Sequence, residues 1–370
     1  MRTVSGTRLV AVCPYFTMFP PSFPSCVIRK GPTPSAVLDP FCGRGTTNFV
    51  ARCLGVRTAG IDVSPVAVAA TEARLVHVAP ETLIAVAKEI VSSARFRDDP
   101  PTGEFWEWAY HPRVLDRLCA LRRALASEEY PPPVRAALRG IILGALHGPL
   151  QKTKRSYFSN QCPRTYAPKP AYSVRFWKEK GLRPPEVDVL RIIAERAYRF
   201  YGQPIPTVSG VALLGDSREP ETIDRAGDLV GPFDCIVTSP PYYGLRTYVP
   251  DQWLRNWFLG GPPQPDYSYG SQISHRSLGR FMADLSTVWR NVARHCVPGA
   301  RLALRFGTIG DRPLDDPAGV IAETLKDTGW RIEAVLSADD ARRGKRQADT
   351  FQRRRSSPRK EIDLEARWCP

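Results

Sequence analysis

The string Val37-Leu38-Asp39-Pro40-Phe41-Cys42-Gly43-Arg44-Gly45-Thr46-Thr47 ends a short apolar run on an acid, then turns through Gly-x-Gly into a helical start. Glycines let a backbone approach a ligand, and a helix N-terminus offers free N–H groups to an anion. A dinucleotide is one reading, but the third glycine of that fingerprint is missing. Further on, Gly60-Ile61-Asp62-Val63-Ser64-Pro65 ends a second run on an acid. Such folds bind a ribose diol there; alone, Asp62 reads more simply as a cap for the next helix. Leu214-Gly215-Asp216-Ser217 places a third acid, fit either to accept a hydrogen bond from an adenine amine or to make a turn. Finally, Asp234-Cys235-Ile236-Val237-Thr238-Ser239-Pro240-Pro241-Tyr242-Tyr243-Gly244 closes a buried run on two prolines. Pro241 has no N–H, so pairing stops abruptly and carbonyls are left at the carboxyl edge of a sheet, where ligands bind.

Seven strand-like runs position these groups: Ala36–Asp39, Thr58–Asp62, Val211–Asp216, Phe233–Thr238, Arg301–Phe306, Arg331–Leu336 and Ile362–Trp368. Helical segments alternate with them at Thr46–Leu54, Val66–His77, Phe281–Cys296 and Pro317–Thr328. That alternation predicts a mostly parallel sheet with helices on both faces. Residues 80–205 break it. Glu81–Ala94, Pro112–Ser127, Val134–His147 and Glu186–Tyr201 read as helices, and Leu190, Ile193, Ala194, Ala197 and Tyr201 form a helical stripe. This stretch is expected to be an inserted helical subdomain. Gly244–Ser277, rich in Gly, Pro, Tyr and Trp, is expected to be a functional loop.

Within the insert, Gln151–Lys180 interleaves basic and aromatic residues. Basic groups hold phosphates, and aromatics stack on bases. Lys152, Lys154, Arg155, Tyr157, Asn160, Gln161, Arg164 and Lys169 are the candidate nucleic-acid contacts, since Asn, Gln and Arg read base edges well. The alternative is a loop folded over its neighbours, aromatics buried and basics solvated. The segment 342–360 carries nine Lys or Arg against Asp349 and reads as a solvated tail or a contact to a DNA backbone.

The chain of 370 residues has a formal charge of +15. That sign favours a polyanionic partner, nucleic acid ahead of an anionic membrane surface. No apolar run approaches the roughly 18 residues that span a bilayer, and the N-terminus lacks the marks of a signal peptide. The nine cysteines include no CxxC and fit neither a disulfide framework nor a zinc site. A reducing cytoplasm is the simplest compartment.

Together these strings resemble the S-adenosylmethionine-dependent DNA methyltransferases that modify exocyclic amino groups. Asp39–Thr47 is similar to their cofactor-binding motif I and Thr238–Tyr242 to their catalytic motif IV. Asp62 falls at motif II and Asp216 at motif III. Tyr15-Phe16-Thr17-Met18-Phe19-Pro20-Pro21 is similar to motif X, whose aromatic residue packs beside the cofactor. The resemblance covers roughly residues 15–78 and 205–310, and the last strands loosely.

The resemblance implies an α/β, Rossmann-like class I methyltransferase fold with a seven-stranded, mostly parallel sheet whose last strand is antiparallel. Residues 1–79 and 206–370 would form the catalytic domain, and 80–205 the helical insertion and candidate target-recognition region. S-adenosyl-L-methionine would be the cofactor, held by Phe19, Asp39, Pro40, Phe41, Gly43, Gly45, Thr46, Thr47, Asp62 and Asp216. Ser239, Pro240, Pro241 and Tyr242 would be catalytic, with no metal. Thr-Ser-Pro-Pro-Tyr resembles the cytosine-N4 enzymes, whereas adenine-N6 enzymes usually begin that motif with Asp or Asn. Cytosine-C5 chemistry needs a nucleophilic Cys after Pro, and no Pro-Cys dipeptide occurs. Adenine-N6 methylation, methylation of RNA amino groups and a silent DNA-binding relative are the alternatives. Double-stranded DNA is the expected partner, with a cognate restriction endonuclease as a further candidate.

Overall fold

A computed structural model describes residues 8–15, 19–96, 99–150, 155–244, 249–267, 273, 277–307, 314–338 and 361–370. Seven strands, β1 (Ala36–Asp39), β2 (Arg57–Asp62), β3 (Gly210–Leu214), β4 (Phe233–Thr238), β5 (Cys296–Gly307), β6 (Trp330–Ser337) and β7 (Glu361–Trp368), form one sheet in the order β3-β2-β1-β4-β5-β7-β6. The first five run parallel, while β7 is antiparallel to both β5 and β6. This is the class I methyltransferase fold that the motifs imply.

Successive side chains of a strand leave on opposite faces, and both faces of the central strands are covered. The helices are α1 (Ser22–Arg29), α2 (Thr46–Cys53), α3 (Pro65–Leu75), α4 (Pro80–Ser92), α5 (Glu104–Ala109), α6 (Pro112–Ala126), α7 (Pro132–Ala145), α8 (Pro170–Glu179), α9 (Val189–Tyr201), α10 (Pro220–Val230), α11 (Trp253–Phe258), α12 (Leu278–Ala293) and α13 (Pro317–Leu325). Leu38, Ile61, Ile236, Leu302 and Leu304 pack with residues of α10, α12 and α13. Val37, Cys235, Val237 and Ala303 pack with Phe23 and Ile28 of α1 and Val50 of α2. That is why β1 is buried at every position and reads as a continuous apolar run.

A third core belongs to the insert. It joins side chains of α4 to α9 with Leu9 and Val12, with Phe49 of α2, with Ala69, Ala70 and Ala73 of α3, and with Trp253, Leu254, Trp257 and Phe258 of α11. A Cβ on Gly140 of α7 would lie 2.3 Å from that of Ala73, so α3 and α7 meet at closest approach.

The structure departs from the sequence reading at several elements. Helices α1, α5, α8, α10 and α11 were not expected; α8 falls inside the basic-aromatic stretch and α11 inside the long loop. Strand β3 stops at Leu214, which leaves Asp216 in a turn whose Gly215 N–H bonds the Asp62 carbonyl at 3.1 Å. Phe16, Thr17 and Met18 of the motif X string, Lys152, Lys154 and the basic segment 342–360 lie outside the described residues.

Candidate active site

Strands β1 and β4 are neighbours at the middle of the sheet, where the chain order reverses; in such sheets ligands bind in the crevice beyond the carboxyl ends at that point. Two side chains join them there. Thr238 Oγ1 at the end of β4 donates to Asp39 Oδ1 at the end of β1, at 2.6 Å. Thr47 Oγ1, on the first turn of α2, donates to the Val237 carbonyl at 3.2 Å. The motif I and motif IV segments are therefore one hydrogen-bonded unit. Asp39 also accepts the Phe41 N–H at 3.1 Å on Oδ1, while Oδ2 is buried without a partner. Burial pushes its carboxyl up to about 6; the bonds from Thr238 and Phe41 act the other way.

The turn that follows needs its glycines. Gly43 and Gly45 have φ of 51° and 75°, in the left-handed region. A Cβ on Gly45 would also lie 2.6 Å from Thr71 Cγ2 of α3. Gly43 N–H donates to Asp62 Oδ2 at 2.9 Å, and Ser64 N–H donates to Asp62 Oδ1 at 2.9 Å. Ser64 in turn caps α3 through the Ala67 N–H. Asp62 thus braces the glycine turn, and the cap is the neighbouring Ser64. Burial pushes the Asp62 carboxyl up to about 6 as well, against those two N–H bonds. Tyr15 reaches this corner: its phenol, raised above the ordinary range by burial and by the Asp62 charge, is hydrogen-bonded to Ser64.

Asp216 sits at the crevice rim, but its oxygens are taken by Arg218. The Arg218 Nε is 3.0 Å from both, its Nη2 is 2.5 Å from Oδ2, and its Nη1 reaches Asp284 Oδ2 at 3.1 Å. The adjacent Ser217 Oγ donates to the Pro40 carbonyl at 2.7 Å, which ties the turn after β3 to the turn after β1. Phe41 is half-buried, edge-on to Trp289 at 6.2 Å. Phe19 is half-buried, edge-on to Phe23 at 5.3 Å, and packs on the α1 side of the sheet.

Ser239, Pro241 and Tyr242 are half-buried and Pro240 is buried. The Tyr242 ring stands edge-on to Phe306 of β5 at 5.4 Å, and its phenol is hydrogen-bonded to Ser239. Burial raises that phenol, while the Ser239 bond lowers it. Tyr243 packs edge-on to Phe281 of α12 at 5.4 Å. The structure thus gathers Asp39, Gly43, Gly45, Thr46, Thr47, Asp62 and Ser239–Tyr242 at one sheet edge.

The residues present suit S-adenosylmethionine. The buried Asp39, with one orphaned oxygen, fits a ligand that carries a sulfonium and an ammonium, and the half-buried Asp62 stands beside it. Thr46 Oγ1, also buried without a partner, is a further free polar atom. Sequence reading gave Thr238 and Ser217 only as members of their strings and missed Arg218, because their roles depend on which strands and turns become neighbours.

The insert residues separate into two sets. Asn160 is fully buried; its Nδ2 donates to the Trp108 and Leu182 carbonyls at 2.9 and 3.0 Å, and its Oδ1 accepts the Gln161 N–H. Gln161 Oε1 accepts the Leu150 N–H at 2.6 Å. Tyr157 is buried, with the Arg196 guanidinium 5.1 Å from its ring centroid. Asn160 and Tyr157 are scaffold, a correction to their expected base contacts: a buried amide satisfies backbone groups before it can read a base. Arg155, Arg164 and Lys169 are exposed. Among the described residues, no helix is long and apolar enough to cross a membrane, and no group of three or more His, Cys, Asp or Glu could hold a metal.

No family model matches the chain. Over 147 residues, 34% of this chain, it is 27% identical to the type II methyltransferase M.SmaI of Serratia marcescens, and the match spans 42% of that protein. Among solved structures, the rRNA methyltransferase aviRa from Streptomyces viridochromogenes aligns over 99% of this chain and 94% of its own, at 13% identity and a TM-score of 0.36. TrmN from Thermus thermophilus aligns over 94% of this chain and 48% of its own, at 11% identity and a TM-score of 0.33. At those scores the structural likeness carries no argument about activity.

Proposed function

We propose that this chain transfers a methyl group from S-adenosylmethionine to the exocyclic amino group of a flipped DNA base, cytosine N4 ahead of adenine N6. One observation carries the reading: the Ser239-Pro240-Pro241-Tyr242 turn and the Asp39–Thr47 turn share one crevice, bridged by the 2.6 Å bond from Thr238 to Asp39. The partial likeness to M.SmaI supports a DNA substrate.

Asp39 would face the cofactor's positive groups, Asp62 would take its ribose hydroxyls, and the Gly43–Gly45 turn would let it approach the backbone. When bound, S-adenosylmethionine supplies an electrophilic methyl on its sulfonium. An amine inside a base stack is out of reach, so the base must leave the duplex. Ser239 Oγ and the Pro240 carbonyl accept hydrogen bonds from the amine, which draws the nitrogen toward tetrahedral geometry and frees its lone pair from the ring. Tyr242 offers its ring to the flipped base, and its phenol also orients Ser239. The chain's contribution is position and electrostatics, with no covalent enzyme intermediate. Arg155, Arg164 and Lys169 of the insert face solvent and would meet the backbone. A cytoplasmic location and a cognate restriction endonuclease belong to the same proposal.

The test is to incubate the protein and S-adenosylmethionine with unmethylated DNA and, in parallel, total RNA, then count methylated nucleosides by mass spectrometry. N4-methylcytosine in the DNA is expected. N6-methyladenine would overturn the inference from Ser239, and methyl groups in RNA alone would overturn the DNA substrate.

A further inference from the structure

Three arginines converge under the segment 8–15, at the junction of the crevice and the insert. Arg44 precedes α2, Arg74 lies on α3 and Arg255 on α11; they are 7%, 0% and 0% exposed. Arg44 Nη2 and Arg74 Nη2 both donate to the Val10 carbonyl, at 2.8 and 3.0 Å. Arg74 Nη2 also donates to the Cys13 carbonyl at 2.9 Å. Arg255 donates to the carbonyls of Pro14 (2.7 Å), Leu143 (3.1 Å) and Arg164 (3.0 Å). A fourth, the half-buried Arg196 of α9, lies over Tyr157 and donates to the Ser156 carbonyl at 2.9 Å. The acceptors are backbone carbonyls, apart from the amide oxygen of Gln252 on Arg255 and the Tyr157 phenol on Arg196.

Among the described residues, none of the four forms a salt bridge. No carboxylate is among the charges that act on them; Arg164 acts on Arg44, Arg196 and Arg255, and Arg74 on Arg44. The Nε atoms of Arg44 and Arg74 have no partner. Arg164 is exposed, and its side chain makes no hydrogen bond or ion pair among the described residues.

Carbonyls satisfy N–H groups but do not cancel charge. Buried guanidinium groups ordinarily pair with an anion, because desolvating an unpaired ion is costly. Here Arg44 and Arg74 share a single carbonyl and repel one another, and among the described residues no carboxylate pairs with the cluster. Among the described residues of the cluster, Arg164 is the fully exposed one, in the stretch that also exposes Arg155 and Lys169. An oxyanion arriving from the surface completes it.

We propose that Arg44, Arg74, Arg196 and Arg255 form the electropositive floor, and Arg164 the contacting group, of a seat for one phosphodiester of a bound polynucleotide. The inference rests on the reading that the substrate is a nucleic acid, and it names where that substrate's backbone is anchored. The seat adjoins both the cofactor corner at Tyr15 and the post-motif helix α11, so a phosphate there fixes the duplex relative to the crevice. The same chemistry would suit the cofactor's carboxylate, and the experiment separates the two sources.

Arg164→Gln removes the contacting charge at an exposed position. Binding of a fluorescein-labelled duplex is followed by anisotropy across a potassium chloride series with S-adenosylhomocysteine present, and S-adenosylhomocysteine binding alone is measured by calorimetry. The expected result is a salt slope reduced by about 0.9, the loss of one phosphate contact, with S-adenosylhomocysteine affinity unchanged. Lys326→Gln, just after α13, should keep the parental slope. A parental slope in Arg164→Gln overturns the seat, as does weaker S-adenosylhomocysteine binding with an unchanged slope, which would assign the cluster to the carboxylate. A reduced slope in a protein that methylates no nucleic acid supports the seat and overturns the proposed reaction alone.

Discussion

Asp39 is fully buried, with one carboxylate oxygen engaged and the other orphaned. Replacing it by Asn keeps the oxygen that Thr238 and Phe41 use and removes the charge. Burial lifts the Asp39 carboxyl from 3.8 to about 6. The folded protein therefore holds this proton more tightly than the unfolded chain does. That stabilising contribution is complete below pH 3.8 and is lost as pH rises through about 6. At 1.36 kcal/mol per pH unit, the ionised form costs the ligand-free fold about 3 kcal/mol at pH 8. Asp39→Asn should thus raise the melting temperature of the ligand-free protein at pH 8 by about 4 °C, given about 2.1 cal/mol/K per residue. The gain should shrink toward zero near pH 4. Binding has the opposite sign: the parent's affinity for S-adenosylhomocysteine should rise with pH through about 6, and the variant should bind at least tenfold more weakly at pH 8. Scanning calorimetry from pH 4.5 to 8, with and without S-adenosylhomocysteine, reads both effects. A variant less stable than the parent at pH 8 would show that the lone oxygen is solvated in the ligand-free protein, and the reasoning from burial would fail.

Ser239→Ala should lower the methyl-transfer rate by about 100-fold and leave S-adenosylhomocysteine affinity within about twofold; single-turnover kinetics and calorimetry check the pair, and an unchanged rate removes Ser239 from the mechanism. Asn160→Ala orphans two carbonyls and one N–H, so a loss of about 3 kcal/mol in stability is expected, measured by urea unfolding; altered sequence preference at unchanged stability would return Asn160 to base reading. Gly144→Ala puts a Cβ 2.0 Å from the Val12 carbonyl, which should cost about 2 kcal/mol and, by displacing Tyr15 from the Asp62 corner, weaken cofactor binding; a thermal scan and calorimetry at one pH suffice.

Strands β1 and β4 were legible to the residue, because each is an apolar run closed by an acid-proline or serine-proline stop. The expected strand at 211–216 overran into Gly215 and Asp216, since a Gly-Asp turn after an apolar run looks like a strand end until its hydrogen bonds are known. Helix α10 carries a readable signal, Ile223, Ala226 and Val230 on one face behind Pro220, whereas α5 and α11, six residues each, are too short for periodicity to speak. In the site, the carboxylates and the Ser-Pro-Pro-Tyr turn were visible as chemistry. The Thr238–Asp39 bridge was not, for it spans 199 residues of chain. Asn160 was misread for a related reason: polarity in a sequence does not say whether the partner is a base or a distant carbonyl. Arg218 shows the limit most plainly, since an acid at a strand end was visible and the guanidinium that occupies it was not.

The insert's core takes Phe49 from α2 and Ala69, Ala70 and Ala73 from α3, the two helices that frame the glycine turn. A region joined to its host in this way is not a cassette. Excising residues 80–205, or exchanging them for another chain's equivalent, would strip the outer faces of both helices and loosen the turn they hold. Change in this region is therefore tolerated as substitution on its outer surface, with its interior carried along unchanged, and not as wholesale exchange of modules.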